Sequence, residues 1–275
     1  MSVREITIGN VRIGGNNPLA LIAGPCVIED EKTTLALAGE LKQICADLNV
    51  GLIFKASYDK ANRTSVDSFR GPGLAEGLRI LAKVKAVHSL PVVSDVHEIS
   101  QIEPAAEVLD MMQIPAFLSR QTDLLVAAGN SGRVINVKKG QFLAPWDMKN
   151  AVAKVESTGN ADIILTERGA SFGYNNLVTD MRSLVIMREL GCPVVFDATH
   201  SVQLPGGAGT ASAGQRQFVG DLSRAAVAVG IDGLFWEVHE CPDDALCDGP
   251  NSLFLSDVRQ MLETTMAIDK LVKGY

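Results

Sequence analysis

The sequence is short of positive charge: 25 Lys and Arg stand against 32 Asp and Glu, a formal net charge of −7. That excludes nucleic-acid binding through a broad basic face. No apolar run approaches the ~18 residues that cross a bilayer. The opening MSVREITIGN has no long apolar region and no small-residue cleavage site, so neither a membrane span nor a signal peptide is expected. Cysteine is scarce, odd in number and scattered (Cys26, Cys45, Cys192, Cys241 and Cys247). That spacing gives no disulfide framework and points to a reducing, cytoplasmic compartment. No linker rich in Pro, Gly or Ser divides the chain, so residues 1–275 are expected to form a single domain. What remains is ordinary globular material, 47% apolar and 21% charged, which excludes a disordered or collagen-like chain.

Residues 5–15, ITIGNVRIGGN, alternate apolar and polar around an Ile-Gly-Asn-Val turn and predict an N-terminal hairpin. Eight short apolar, β-rich runs follow, at 19–26, 51–57, 90–96, 108–114, 134–140, 162–169, 192–200 and 233–239. Amphipathic stretches with helical spacing lie between them, at 31–48, 73–87, 122–130, 177–190 and 217–230, and one at 252–274 closes the chain. Near-continuous apolar strands alternating with helices indicate parallel β-structure covered on both faces. Eight such units in a chain of this length fit an α/β fold of the (β/α)8 TIM-barrel type. An open doubly wound sheet is the alternative, but no G-x-G-x-x-G follows the first run. The low-complexity segment PGGAGTASAGQ (205–215) is expected to be a mobile loop and a lid over the site.

A barrel carries its site at the C-terminal ends of its strands. Read in order, those ends hold Cys26; Lys55, with Lys60, Asn62 and Arg63 beyond it; Asp95 and His97; Gln113; Asn136, Lys138 and Lys139; Glu167 and Arg168; Asp197 and His200; and Glu237 and His239, followed by Asp248. Any one of these could cap a helix or sit on the surface. Polar residues at all eight ends together point to a site.

Two groups separate. Lys55, Lys60, Arg63, Lys138 and Arg168 converge on one mouth and make a focused anion site on an acidic protein. Five cations exceed the need of one monoester phosphate, so the ligand carries several negative groups or two phosphorylated ligands bind. Period-2 alternation puts Lys138 and Lys139 on opposite faces, and Lys139 suits a separate surface lysine. The second group is Cys26, His200, Glu237 and Asp248. In a closed barrel strands one, seven and eight are neighbours, so a thiolate, an imidazole and two carboxylates meet there. The set suits Zn²⁺, Fe²⁺ or Mn²⁺ and is too soft for a dedicated Mg²⁺ or Ca²⁺ site. Taken singly, Cys26 would read as a small buried hydrophobe and His200 as a hydrogen-bonded core histidine. Cys45 and Cys192 read as packing residues, Cys241 and Cys247 as bystanders, and His88 as structural.

The segments AGPCVIE (23–29), FKASYDKANRTS (54–65), PVVSDVHE (91–98), QIPAFLSRQTDLL (113–125), NVKKGQFLAPWDM (136–148), LTERGASFGYNNLVTDMR (165–182) and FDATHSVQLPGG (196–207) resemble the 3-deoxy-D-manno-octulosonate 8-phosphate synthase family. The likeness runs from about residue 5 to the C-terminus. It implies condensation of phosphoenolpyruvate with D-arabinose 5-phosphate and water, for lipopolysaccharide synthesis. The sister 3-deoxy-D-arabino-heptulosonate 7-phosphate synthases use erythrose 4-phosphate and carry Lys-Pro-Arg where this chain has Lys60-Ala61-Asn62-Arg63, so the Ala-Asn insertion favours arabinose 5-phosphate. Such a synthase is one alternative; a non-catalytic sugar-phosphate-binding barrel, which would not need the converging ligands, is another.

The resemblance implies phosphoenolpyruvate contacts from Lys55, Lys60, Gln113, Lys138 and Arg168. It implies sugar-phosphate contacts from Asn62, Arg63 and Thr64, where the family commonly has serine and the hydroxyl is kept. Arg120 would reach in from a neighbouring subunit of a homo-oligomer, a tetramer. Asp95 would bind sugar hydroxyls, and Gln203 joins the substrate-binding set. The catalytic set is Lys55, Lys60, Lys138, Asp95 and His200. Metal-free members carry Asn in place of Cys26, so this chain resembles the metal-dependent form, with Zn, Fe, Mn or Co held by Cys26, His200, Glu237 and Asp248. The metal would either ionise a water or orient the aldehyde. No separate regulatory domain is expected.

Overall fold

The computed structural model describes residues 3–207 and 213–275. The β-rich runs become strands one to eight of a barrel: Ala20–Gly24, Leu52–Lys55, Val92–Asp95, Met111–Ile114, Val134–Lys138, Ile163–Glu167, Val194–Asp197 and Gly233–His239. Each pairs in parallel with the next. Strand eight pairs with both seven and one, Phe235 lying opposite Asp197 on one side and Ile22 on the other. That closing pair excludes the open doubly wound sheet. Helices cover the outside, among them Glu31–Asp47, Leu74–His88, Thr122–Asn130, Val219–Val229 and Leu255–Lys273. Two further helices, Ile102–Val108 and Met148–Glu156, were not among the expected amphipathic stretches. They are only two to three turns long, too short to show a sustained apolar repeat.

The N-terminal hairpin, Glu5–Ile8 paired with Val11–Gly14, turns through Gly9, whose φ of +59° is easy only without a Cβ. Its inward residues Ile6, Ile8, Val11 and Ile13 are buried with Ile22, Ile53, Val93, Met111, Val134, Ile164, Val195 and Phe235. The hairpin thus plugs the N-terminal end of the barrel, and burying each of its four apolar side chains contributes on the order of 1.5–3 kcal/mol.

The same alternation builds the other end. Two residues beyond that apolar layer, on the same inward faces, stand Lys55, Asp95, Gln113, Asn136, Thr166, Asp197 and Glu237, all buried. One layer therefore seals the barrel, and the next presents polar groups toward its C-terminal mouth. The expected lid at 205–215 has its centre, residues 208–212, outside the described residues. Its flanks Gln203–Leu204 and Ala213–Gly214 pair antiparallel, and Pro205 and Gly206 border the mouth.

Candidate active site

A cavity of about 550 Å³ opens at this mouth, lined by Lys55, Lys60, Arg63, Lys138 and Arg168 together with Asn62, Thr64, Asp95, Gln113, His200, Gln203 and Asp248. All five expected cations converge. The buried Phe235 ring packs near two of them, the Lys138 and Lys55 ammonium groups lying 3.9 and 5.7 Å from its centre. Lys55 Nζ donates to the Cys26 carbonyl at 3.0 Å and lies 3.5 Å from Glu237 Oε1. Strand one approaches strand two closely here because residue 24 is glycine: a Cβ would stand 2.0 Å from the Lys55 carbonyl oxygen. Arg168 donates to Gln203 Oε1 at 3.1 Å. Its other terminal nitrogen, Nη1, is buried without a hydrogen-bond partner among the described residues. An unpaired buried guanidinium N–H is costly unless a ligand completes it, and an anion would.

A hydrogen-bond chain runs round the inner wall. Thr166 Oγ1 donates to Asn136 at 2.6 Å, Asn136 Nδ2 donates to Gln113 at 3.0 Å, and Gln113 Nε2 donates to Asp95, which also accepts from Ser57. Burial alone would raise the pKa of Asp95, but Lys55 and Lys60 outweigh it and hold the carboxyl far below the usual range. Burial lowers the pKa of Lys138 below that of an ordinary lysine, although Asp197 opposes the shift.

Four donors gather between strands one, seven and eight. His200 Nε2 lies 3.6 Å from Glu237 Oε1 and 3.8 Å from Asp248 Oδ2, and Cys26 Sγ lies 3.6 Å from the same Asp248 oxygen. Asp248 is held at φ +50°, a conformation unusual outside glycine. Glu237 is fully buried, and neither carboxylate oxygen has a hydrogen bond among the described residues. Such a carboxylate calls for cations. Burial pushes its pKa up, yet His200, Lys60 and Lys55 bring it down to about 2. A sulfur, an imidazole and two carboxylates around a buried charge without hydrogen bonds among the described residues fit a borderline divalent metal.

Two residues join this cluster that the sequence reading left out of it. By sequence Asp197 reads only as a polar strand end. It caps the short helix Ala198–Ser201 by accepting from His200 N, its Oδ2 lies 2.8 Å from His200 Nδ1, and it accepts from Lys138 Nζ at 2.5 Å. Its cap fixes the short helix that carries His200, whose Nε2 faces the other donors, while Nδ1 makes no hydrogen bond among the described residues. The Asp-x-x-His spacing carried that signal. Cys247, read as a bystander, is buried against Cys26 and Asp248 and contacts Arg63.

Three other sequence readings change. Lys139 is no surface lysine: it faces outward but lies under the helix layer, 3.4 Å from Glu167. Glu167 likewise turns from the mouth and accepts from Ser183 at 2.5 Å. In a barrel, outward is not exposed. His239 does not line the cavity; it bridges strand eight to Glu29 at 3.6 Å. His97 does line it. Arg120 is exposed and borders an adjacent groove rather than its own chain's cavity. Cys45 and Cys192 are buried packing residues, as expected, and burial raises their pKa values to about 12 and about 11.

The depressed Glu237 has a consequence in acid. Its carboxylate is favoured in the folded state, so its contribution to stability is complete above its ordinary value of 4.5 and is lost as pH falls toward about 2. In metal-free protein the loss should amount to on the order of 3 kcal/mol. Urea unfolding between pH 6 and pH 3 checks this: Glu237→Gln should flatten the acid dependence, and an unchanged slope would contradict it.

The description of a DAHP synthetase I family matches residues 3–273. The chain is 70% identical over 269 residues to a 2-dehydro-3-deoxyphosphooctonate aldolase of Syntrophotalea carbinolica, covering 98% of this chain and 97% of that one. It is 70% identical over 269 residues to the protein so named in Citrifermentans bemidjiense, covering 98% of each. It is 68% identical over 270 residues to that of Geobacter sulfurreducens, covering 98% of this chain and 99% of the relative.

Proposed function

Because this chain belongs to the DAHP synthetase I family, we propose that the cavity at its barrel mouth is the active site, with phosphoenolpyruvate and D-arabinose 5-phosphate bound side by side. The chain condenses these two substrates with water to give 3-deoxy-D-manno-octulosonate 8-phosphate and inorganic phosphate. The relatives' shared name favours this reading over the erythrose 4-phosphate alternative and over a non-catalytic barrel. The product feeds lipopolysaccharide synthesis. No helix of the described residues is long and apolar enough to cross a membrane; the scattered free cysteines support a cytoplasmic location.

The observation that carries the site assignment is the ring of five cations with an unpartnered Arg168 N–H inside it. Lys60, Lys138, Arg168, Lys55 and Gln113 hold phosphoenolpyruvate; Asn62, Arg63 and Thr64 hold the sugar phosphate. The cations offset the repulsion between two anions and set C3 of phosphoenolpyruvate against the aldehyde carbon. That attack leaves an oxyanion on the sugar and positive charge at C2, where water adds before phosphate departs. Lys138 Nζ, with its lowered pKa, hands a proton to the oxygen that accumulates charge, and Asp197 keeps that ammonium in place. Asp95 orients the sugar hydroxyls from within its hydrogen-bond chain. Cys26, His200, Glu237 and Asp248 would hold a divalent metal, which supplies Lewis acidity at this mouth. Arg120, exposed and outside its own cavity, suits a residue that serves a neighbouring subunit of a homotetramer.

Two arginines separate the pockets. Arg168→Ala should weaken phosphoenolpyruvate binding and Arg63→Ala sugar-phosphate binding. Each loses about 1.5–3 kcal/mol, roughly ten- to a hundredfold in Kd. Calorimetric titration of each ligand into each variant tests the site: normal binding of both ligands by both variants would overturn it.

A further inference from the structure

All five cysteines are free thiols, and the fold treats them differently. Cys45 and Cys192 are packed in the core, Cys192 at the plugged end of the barrel, and Cys241 is exposed. Cys26 and Cys247 stand apart from these. They come from opposite ends of the sequence, yet they pack together with Val27 as a separate buried cluster, and their sulfurs lie within 4.8 Å of one another. Cys247 also lines the substrate cavity. A small solute in the cavity therefore borders Cys247, whose sulfur contacts Arg63 and lies within 4.8 Å of that of Cys26.

We propose that Cys26 and Cys247 form a reversible disulfide when the metal is absent, a redox modification site at the edge of the active site. A disulfide needs its sulfurs about 2 Å apart, and side-chain rotation within this two-cysteine cluster can close the remaining gap. The oxidant is a peroxide. The Cys247 sulfur attacks one peroxide oxygen, the O–O bond breaks, and water leaves a sulfenic acid. The Cys26 sulfur then attacks that sulfur, the S–S bond forms, the S–O bond breaks, and the second water departs. In sum, two thiols and one hydrogen peroxide give one disulfide and two waters. A dithiol reverses it by exchange.

The pairing stands on the two sulfurs alone. Its consequence rests on the proposed metal site: Cys26 cannot serve as a metal ligand and as half of a disulfide, so metal and cross-link exclude each other. A metal would shield the thiol, and oxidation of the empty site would park Cys26 in a recoverable form rather than let it climb to sulfinic acid.

The test uses the full-length protein, stripped of metal and treated with a small excess of hydrogen peroxide. Remaining thiols are then alkylated under denaturing conditions. The expected product is lighter than the reduced chain by about 2 Da, alkylates two fewer cysteines, and yields a peptide joining Cys26 to Cys247 after non-reducing proteolysis. Dithiothreitol should restore the mass and full alkylation. Cys247→Ala should give no cross-link, and its Cys26 should gain oxygen instead. Full alkylation after peroxide, or a cross-link through Cys241, would overturn the proposal. A second arm repeats the treatment on Zn²⁺-loaded protein. Protection there supports mutual exclusion. Cross-linking at the same rate in both arms would leave the pairing standing and count against Cys26 as a metal ligand.

Discussion

Chelation takes turnover to background, and Zn²⁺, Mn²⁺, Fe²⁺ or Co²⁺ restores it to differing degrees: that is the expected behaviour of a site built around Glu237. A buried carboxylate with no hydrogen bond is tolerated only because positive charge surrounds it, and Lys55 and Lys60 at 3.5 and 3.6 Å are held by other tasks as well. A divalent ion touching Glu237, Asp248, His200 and Cys26 would satisfy the cluster, and the mixed softness of the donors explains why several metals should serve. His200→Ala should lower metal content and rate together, because Nε2 is lost from the donor set and Asp197 loses the imidazole beside it. Cys26→Asn is the more discriminating variant. Its amide would hydrogen-bond where the thiolate would ligate. If the metal serves to position reactants, this variant keeps measurable activity that a chelator no longer removes. If the metal is needed to ionise water, the variant is dead. Wild-type enzyme turning over at full rate with metal below about one-tenth equivalent by elemental analysis would end the metal reading.

Much of this architecture is legible in the residues, for a definite reason. In a parallel barrel the period-2 alternation that buries Ile53, Val93 and Val195 continues for one more step to Lys55, Asp95 and Asp197. Polar ends on apolar strands therefore read directly as a polar mouth. The closing neighbours of strand eight follow from topology, and they bring Cys26, His200, Glu237 and Asp248 together although the sequence scatters them. What the residues conceal is layered or local. Lys139 and Glu167 face outward, and nothing in a two-residue alternation says that helices will cover that side. Cys247 precedes Asp248 in a turn, and adjacency in sequence does not say whether neighbouring side chains point to the same centre; here both do, with Asp248 in the left-handed region. Asp197 looks like one more charged strand end until its cap on the Ala198–Ser201 helix is seen to fix the segment that carries His200. The hairpin was readable as a hairpin, but its service as a plug depends on contacts with the starts of all the barrel strands.

Arabinose 5-phosphate should exceed erythrose 4-phosphate in kcat/KM by on the order of 10⁴. The loop after strand two carries Asn62, Arg63 and Thr64 along one side of the cavity, and Arg63 is anchored at the far edge, against Cys247 and 4.0 Å from Asp248. In the proposed arrangement the sugar phosphate would sit by Arg63, while the aldehyde would have to reach C3 of the enolpyruvate among Lys138 and Arg168. A four-carbon aldose phosphate held by the same phosphate group falls one carbon short of that point. It also lacks one hydroxyl for the polar wall formed by Asn62 and Asp95. Asp95 is buried while Asn62 is exposed, so the main loss falls on Asp95: a buried polar group left without its hydroxyl rejects the shorter analogue more strongly than an apolar pocket rejects a missing methylene, and misplacement of the aldehyde by about 1 Å adds to the loss. Asn62→Ala should narrow the ratio by lowering the arabinose 5-phosphate rate, while leaving the weak erythrose 4-phosphate rate nearly unchanged. Phosphate release from phosphoenolpyruvate, followed with each aldose phosphate in turn, measures both. Equal use of the two aldoses, or a reversed preference, would place the chain with the erythrose 4-phosphate enzymes.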